Sequence, residues 1–389
     1  HCVTRRQRQM CIRDSSSLLR MVRRAIKVAS TPPCGPVYLC LPEDILDCEI
    51  TEDIFPVHIP SFSTKPSDED LEKVASWIEE AENPILLLGD GVAWTGGNDE
   101  VIKLAETIGA RVYSADGGEI NFPDNHLLNY GSTGHMFGDA SLPIMQSCDL
   151  CIALGCYLLP EVYPYLGDIF KPETKVIHID TDVDQIAKNH KVDISFVAKP
   201  ATVIEALNYK VMNLPDIWKT KANSRKENLQ KNSPVIKNDV DKLYELKPTY
   251  PSEKYDGKEF SMKSGYFIKT LSELLPKDHI IFDEALTNSP PINKYIPGLK
   301  PGDRMLTRGG SLGTGFPGAI GAKLAYPQKE VIGFSGDGGS MYTIQVLWTA
   351  ARHGIAAKFI VCQNRSYHLL QLNIGKFWAE RGIKNREFP

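Results

Sequence analysis

No run in these 389 residues approaches the roughly 18 consecutive apolar positions of a spanning helix, and residues 1–15 (HCVTRRQRQMCIRDS) hold no apolar stretch for a signal segment. Neither charge sign is in excess. The 44 Lys+Arg against 48 Asp+Glu leave a net charge of -4, which argues against nucleic acid as a main partner. Paired cysteine is missing as well: nine is an odd number, and without a secretory segment it fits reduced thiols. The one C-x-x-C, Cys148 to Cys151, lacks further ligands at zinc spacing, and CDLCIALGC reads as a buried strand carrying small thiols. The turn Gly89-Asp90-Gly91-Val92-Ala93-Trp94 lacks the third glycine of a dinucleotide fingerprint. What remains, with 42% hydrophobic residues, supplies two cores and two or three domains. The expectation is a soluble, cytoplasmic, multi-domain chain.

The elements alternate in α/β fashion. Ser67 caps a helix running to Ala81; the strand Ile85–Leu88 follows, then a helix from Asp99 and strands Cys151–Leu154 and Val176–Ile179. These belong to a unit at 61–212. His126 and His135 fall in loops and read as surface or structural residues. Residues 213–261 are lysine-rich, with Pro234, Pro248 and Pro251, and read as a linker with one helix near Val240–Leu246. Residues 262–389 form a further unit.

Gly336-Asp337-Gly338 and Asn364 stand in that last unit, 27 residues from Asp337 to Asn364. Between them Val331–Ser335 reads as a buried strand. Met341–His353 follows as a helix with Ile344, Leu347, Trp348 and Ala351 on one face, stopped by Gly354, and Phe359–Cys362 as the next strand. Thirteen helical residues rise about 20 Å and six extended ones span about 20 Å, so the crossover returns level with its start. Asp337 and Asn364 are thereby expected to meet past the carboxyl ends of neighbouring parallel strands, where open α/β sheets bind ligands. The Gly338-Gly339-Ser340 amides suit a phosphate. The other Gly-Asp-Gly, around Asp90, has Gly117 at the same spacing, which cannot ligate.

This pattern, in the string GDGGSMYTIQVLWTAARHGIAAKFIVCQN, resembles the cofactor-binding motif of thiamine diphosphate enzymes of the benzoylformate decarboxylase and acetolactate synthase group. The resemblance implies Mg²⁺ held by Asp337, the Asn364 side-chain oxygen and the Ser366 backbone carbonyl, with diphosphate oxygens and water completing six oxygens. Where the family has Asn-Asn-Gly, this chain has Gln363-Asn364-Arg365, with Arg365 read as a solvated loop residue. Upstream, in the glycine-rich stretch from Arg308 to Gly321, the family's counterparts of Gly310 and Leu312 bond the aminopyrimidine and wedge between the cofactor's rings. By the same likeness Thr287 and Asn288, after the strand His279–Phe282, lie near the diphosphate, or else they cap the helix from Pro290.

The resemblance implies two doubly wound parallel-sheet domains, central and diphosphate-binding, plus the remnant of an N-terminal pyrimidine-binding domain at 17–60, with LLRMVRRAIKVAS and the strand Gly35–Pro42. Residues 1–16, without an initiator Met, read as a non-native leader, and 385–389 break off inside the cofactor domain. The catalytic Glu of the pyrimidine domain has no counterpart here. The implied activity is carbon–carbon bond cleavage or formation on a 2-oxo acid by a homodimer or homotetramer. FAD, which acetolactate synthases carry in the central domain, is required by no feature here. Val162 stands where benzoylformate decarboxylases bring a catalytic His. The alternative is a non-catalytic cofactor-binding fragment, or half of a split enzyme.

Overall fold

The computed structural model describes residues 9–11, 17–51, 53, 55–62, 64–115, 117–134, 136–237, 263–307 and 310–384. His135, Arg308, Gly309, the helix expected at 240–246 and the terminal 385–389 lie outside the described residues.

The strands are β1 (Gln9–Cys11), β2 (Tyr38–Cys40), β3 (Pro84–Leu88), β4 (Arg111–Ser114), β5 (Asn129–Ser132) and β6 (Leu150–Leu154). They continue as β7 (Lys175–Asp180), β8 (Ile194–Val197), β9 (His279–Glu284), β10 (Arg304–Leu306), β11 (Glu330–Gly336) and β12 (Lys358–Cys362). Every pairing among the described strands is parallel. β1 pairs with β2, so part of the stretch expected as a leader takes up a strand beside the remnant. The expected strand Gly35–Pro42 shortens to Tyr38–Cys40, because prolines at 36 and 42 donate no ladder hydrogen bond.

The central sheet runs β5-β4-β3-β6-β7-β8, an order that reverses direction between β3 and β6. Its inner strands β3 and β6 are buried at every position because both faces are covered: along β3, Ile85 and Leu87 enter one core while Leu86 and Leu88 enter the other. The helix Asp68–Glu80 starts as its sequence predicts, with the Asp70 amide donating to Ser67 Oγ at 3.1 Å. In 213–237, the described part of the stretch expected as a linker, the chain is more ordered than its composition suggests. A 16-residue helix, Asp216–Lys231, buries Trp218 and Ala222 in the central core, and Arg225 donates to the carbonyls of Gly109 and Ala81 at 3.1 and 2.7 Å.

The second sheet runs β10-β9-β11-β12, so its strand order reverses between β9 and β11, the place where such sheets form a ligand crevice. The two sheets are joined by polar contacts. Leu306 N donates to Gly118 O at 2.9 Å, Gly298 N to Asp124 Oδ2 at 2.7 Å and Gly302 N to Glu119 Oε2 at 3.1 Å. No described helix is long and apolar enough to cross a membrane.

Candidate functional site

At the carboxyl edge of β11, the register pairs Ser335 with Glu284 of β9 on one side and Gly336 with Cys362 of β12 on the other. Asp337 and Asn364 both follow at once from these strand ends, and the structure brings their loops together: the Arg365 amide donates to Asp337 Oδ2 at 2.8 Å. Asn364 Oδ1 accepts from the Ser366 amide at 2.9 Å, which curls 364–366 back over the strand end. Arg365 has φ of 54°, a left-handed conformation that costs a side-chain-bearing residue about 1–2 kcal/mol. Glycine would take it freely, which gives the departure from Asn-Asn-Gly its physical meaning. Ser366 Oγ is buried without a hydrogen-bond partner.

The crossover helix differs from expectation. The first piece is Asp337–Met341, the chain then turns through 342–345, and the second piece is Val346–Arg352. The apolar face is also rotated: Ala350 is buried, whereas Trp348 is 70% exposed and Ala351 is exposed. A five-residue helix has little macrodipole, so its anion-binding capacity rests on the Gly338, Gly339 and Ser340 amides themselves. Ser340 Oγ donates to the Asp337 carbonyl at 3.0 Å. A Cβ on Gly336 would meet nothing within 4 Å, while one on Gly338 would lie 2.5 Å from Tyr367 Cε1. The turn is therefore open on one side and roofed by an aromatic ring on the other.

The glycine loop borders this turn. Gly310 and Gly313 have φ of 70° and 86°, and half-buried Leu312 lies between them. Thr343 Oγ1 donates to the Gly313 carbonyl at 2.7 Å. Thr287 and Asn288 occupy a tight turn, Leu286–Asn288, that contacts the helix His368–Glu380 following the Asn364 loop. Asn288 does stand at the N-cap of the helix Ser289–Tyr295, but its side chain makes no cap hydrogen bond. Leu286, with φ of 51°, turns the chain off β9.

One residue escaped the sequence reading. Glu284, 1% exposed by its burial among the strand ends, accepts from Gly313 N and Gly315 N, each at 2.5 Å. A buried carboxyl at the end of an apolar strand was the available signal, since such a group has to be hydrogen-bonded. Nearby, burial pushes the Cys362 thiol up to about 11, helped by the charges of Asp283 and Asp337.

Elsewhere the other motifs serve packing. Asp90 accepts from the Gly118 and Glu119 amides at 2.9 and 3.0 Å, and a Cβ on Gly91 would lie 2.6 Å from Gly155 Cα. The glycines there let the ends of β3 and β6 touch. Cys148, Cys151 and Cys156 are buried, and burial holds the Cys148 thiol up at about 12. His126 pairs with Glu106 at 3.2 Å, a structural role. Val162 is exposed.

Among the described residues no group of three or more His, Cys, Asp or Glu is placed to hold a metal. A site with one carboxylate, an amide oxygen and a backbone carbonyl would not gather such a group, and that all-oxygen set fits Mg²⁺. The Asp337 and Asn364 oxygens keep acceptor capacity beyond the bonds they make.

Known proteins share this organisation. The family description "Thiamine pyrophosphate enzyme, central domain" matches residues 71–207, and "Thiamine pyrophosphate enzyme, C-terminal TPP binding domain" matches residues 292–386. The probable acetolactate synthase large subunit of Methanocaldococcus jannaschii is 31% identical over 95% of this chain and 62% of its own length. The acetolactate synthase large subunit of Lactococcus lactis is 28% identical over 95% of this chain and 61% of its own. The chain thus spans about three fifths of the length of these relatives. In fold, it is similar to the thiamine diphosphate-dependent 4-hydroxybenzoylformate decarboxylase of Rhodococcus jostii RHA1, with a TM-score of 0.73 at 22% identity over 97% of this chain and 66% of that one.

Proposed function

We propose, for a chain that belongs to the thiamine pyrophosphate enzymes, that the protein carrying it binds thiamine diphosphate with Mg²⁺ and acts on a 2-oxo acid. The reaction is decarboxylation or an acetolactate synthase-like carboligation. The observation that carries this reading is the placement of Asp337, at the end of β11, against the 364–366 loop at the end of β12. Asp337, Asn364 and the Ser366 carbonyl would hold the metal, and the Gly338 to Ser340 amides would hold the diphosphate. Gly310 and Leu312 would border the rings, with Thr287 and Asn288 near the phosphates. When bound, the cofactor supplies an electron sink for breaking or making a bond beside a carbonyl. The chain's own part is to bind, orient and exclude water: the glycine turns allow close backbone approach, and a drier site strengthens each polar contact. The active protein is a cytoplasmic homodimer or homotetramer, works without FAD, and has neither nucleic acid nor membrane as partner.

Asp337→Ala tests the reading in the full-length protein. Removing the carboxylate should weaken Mg²⁺-dependent thiamine diphosphate binding by about tenfold or more and abolish CO2 release from a panel of 2-oxo acids. Unchanged affinity and turnover would remove the metal-site assignment. A stoichiometric flavin absorbance in the purified wild type would overturn the FAD-free reading.

A further inference from the structure

We propose that Glu284 is a positioning residue that sets the glycine loop, and through it Leu312, against the cofactor; this rests on the thiamine diphosphate reading above. Glu284 ends β9, beside β11, at the strand-order reversal where the second sheet forms its crevice. Its two carboxyl oxygens are divided between two amides of one loop: Oε1 accepts from Gly313 N and Oε2 from Gly315 N. The Gly313 carbonyl is held from the far side by Thr343 Oγ1. Both backbone groups of the residue after Leu312 are therefore fixed, one by β9 and one by the crossover.

Space around the group is equally restricted. A Cβ on Gly315 would lie 2.8 Å from Glu284 Oε2, and one on Gly339 would lie 2.9 Å from Oε1. Glu284 is thus wedged between the glycine loop and the helix that opens at Asp337. Burying a carboxyl group there is costly unless its oxygens are satisfied, and the two amide bonds satisfy one each. In the 364–366 loop, by contrast, the Arg365 amide donates to Asp337 and the Ser366 amide to Asn364. Glu284 thus meets the Asp337 helix by packing against Gly339, a contact that a side chain of the same size keeps, whereas its two amide bonds go to the glycine loop.

Glu284→Gln separates them, because a glutamine has one acceptor oxygen and turns an amino group toward the other amide. Thr343→Val removes the opposite support without touching a buried carboxyl. In the full-length protein with Mg²⁺, affinities for thiamine diphosphate and for inorganic pyrophosphate are read by tryptophan fluorescence titration. Glu284→Gln should weaken thiamine diphosphate by roughly tenfold or more and Thr343→Val by a smaller factor, while pyrophosphate affinity holds in both. An unchanged thiamine diphosphate affinity in either variant, or an equal loss for both ligands in Thr343→Val, overturns the proposal. If Glu284→Gln does not fold, Thr343→Val decides alone. A wild type that binds neither ligand instead removes the cofactor-site reading underneath.

Discussion

Gly318 has no room for a side chain, since a Cβ there would lie 2.1 Å from Phe282 Cε2 beneath the helix Gly315–Ala325. Gly318→Ala should destabilise the protein by about 1–3 kcal/mol through overpacking, measured as a lower urea midpoint. Gly336→Ala, with open space around the new methyl, is the control and should stay within about 0.5 kcal/mol. These two glycines look alike in the sequence. Their difference lies in what the folded chain puts beside them, a phenyl ring in one case and the open crevice in the other. Placement was legible where spacing along one strand-helix-strand unit decides it, as for Asp337 and the loop of Asn364. Glu284 was not, because its partners are amides 29 and 31 positions away, which no local pattern marks. The left-handed Leu286 and Arg365 flank the same crevice, in keeping with the tendency of backbone strain to gather at binding sites.

Elements were readable in proportion to how continuous their burial is. β3 and β6, buried at every position, appear in the sequence as unbroken apolar runs bounded by turn residues. The crossover after Asp337 was readable as helical but not in its break or its face, because apolar residues lie on more than one side of it and tertiary contacts select among them. The helix Asp216–Lys231 was missed altogether. It buries two side chains, Trp218 and Ala222, among exposed lysines, too narrow a stripe for periodicity to reveal. Trp218 is 4% exposed, so Trp218→Ala should cost about 3–5 kcal/mol and loosen this helix from the central core. Chemical denaturation measures the first, and a new proteolytic cut within 216–231 in the native protein shows the second.

Across the whole molecule, the two sheets are coupled through a buried charge cluster. Arg304, 3% exposed, reaches Asp124 of the central domain: its Nη2 donates to Oδ1 at 3.3 Å, and its Nη1 lies 2.9 Å from Oδ2 as a charge contact. Asp283, on β9, accepts from Ala285 N and Ser289 Oγ, while its Oδ2 is buried without a hydrogen-bond partner. Burial raises the Asp283 and Asp124 carboxyls above their ordinary 3.8 despite the opposing pull of Arg304. A carboxyl raised in the folded state contributes stability that is full below its unfolded value and is lost as pH rises through the folded one. The stability of the wild type relative to Asp283→Asn should therefore be greatest at and below about pH 3.8 and decline toward neutrality, as thermal melts of both proteins across that window would show. Parity at all pH values would place Asp283 outside the coupling. The sequence was sufficient for the fold class and for the meeting of the Asp337 turn with the loop of Asn364, because hydrophobic period and strand-helix-strand spacing are local properties. The charge cluster between domains, the carboxyl that shapes the glycine loop, the broken crossover and the docked helix depended on the folded chain, because each rests on atoms that meet only after the strands have been ordered in space.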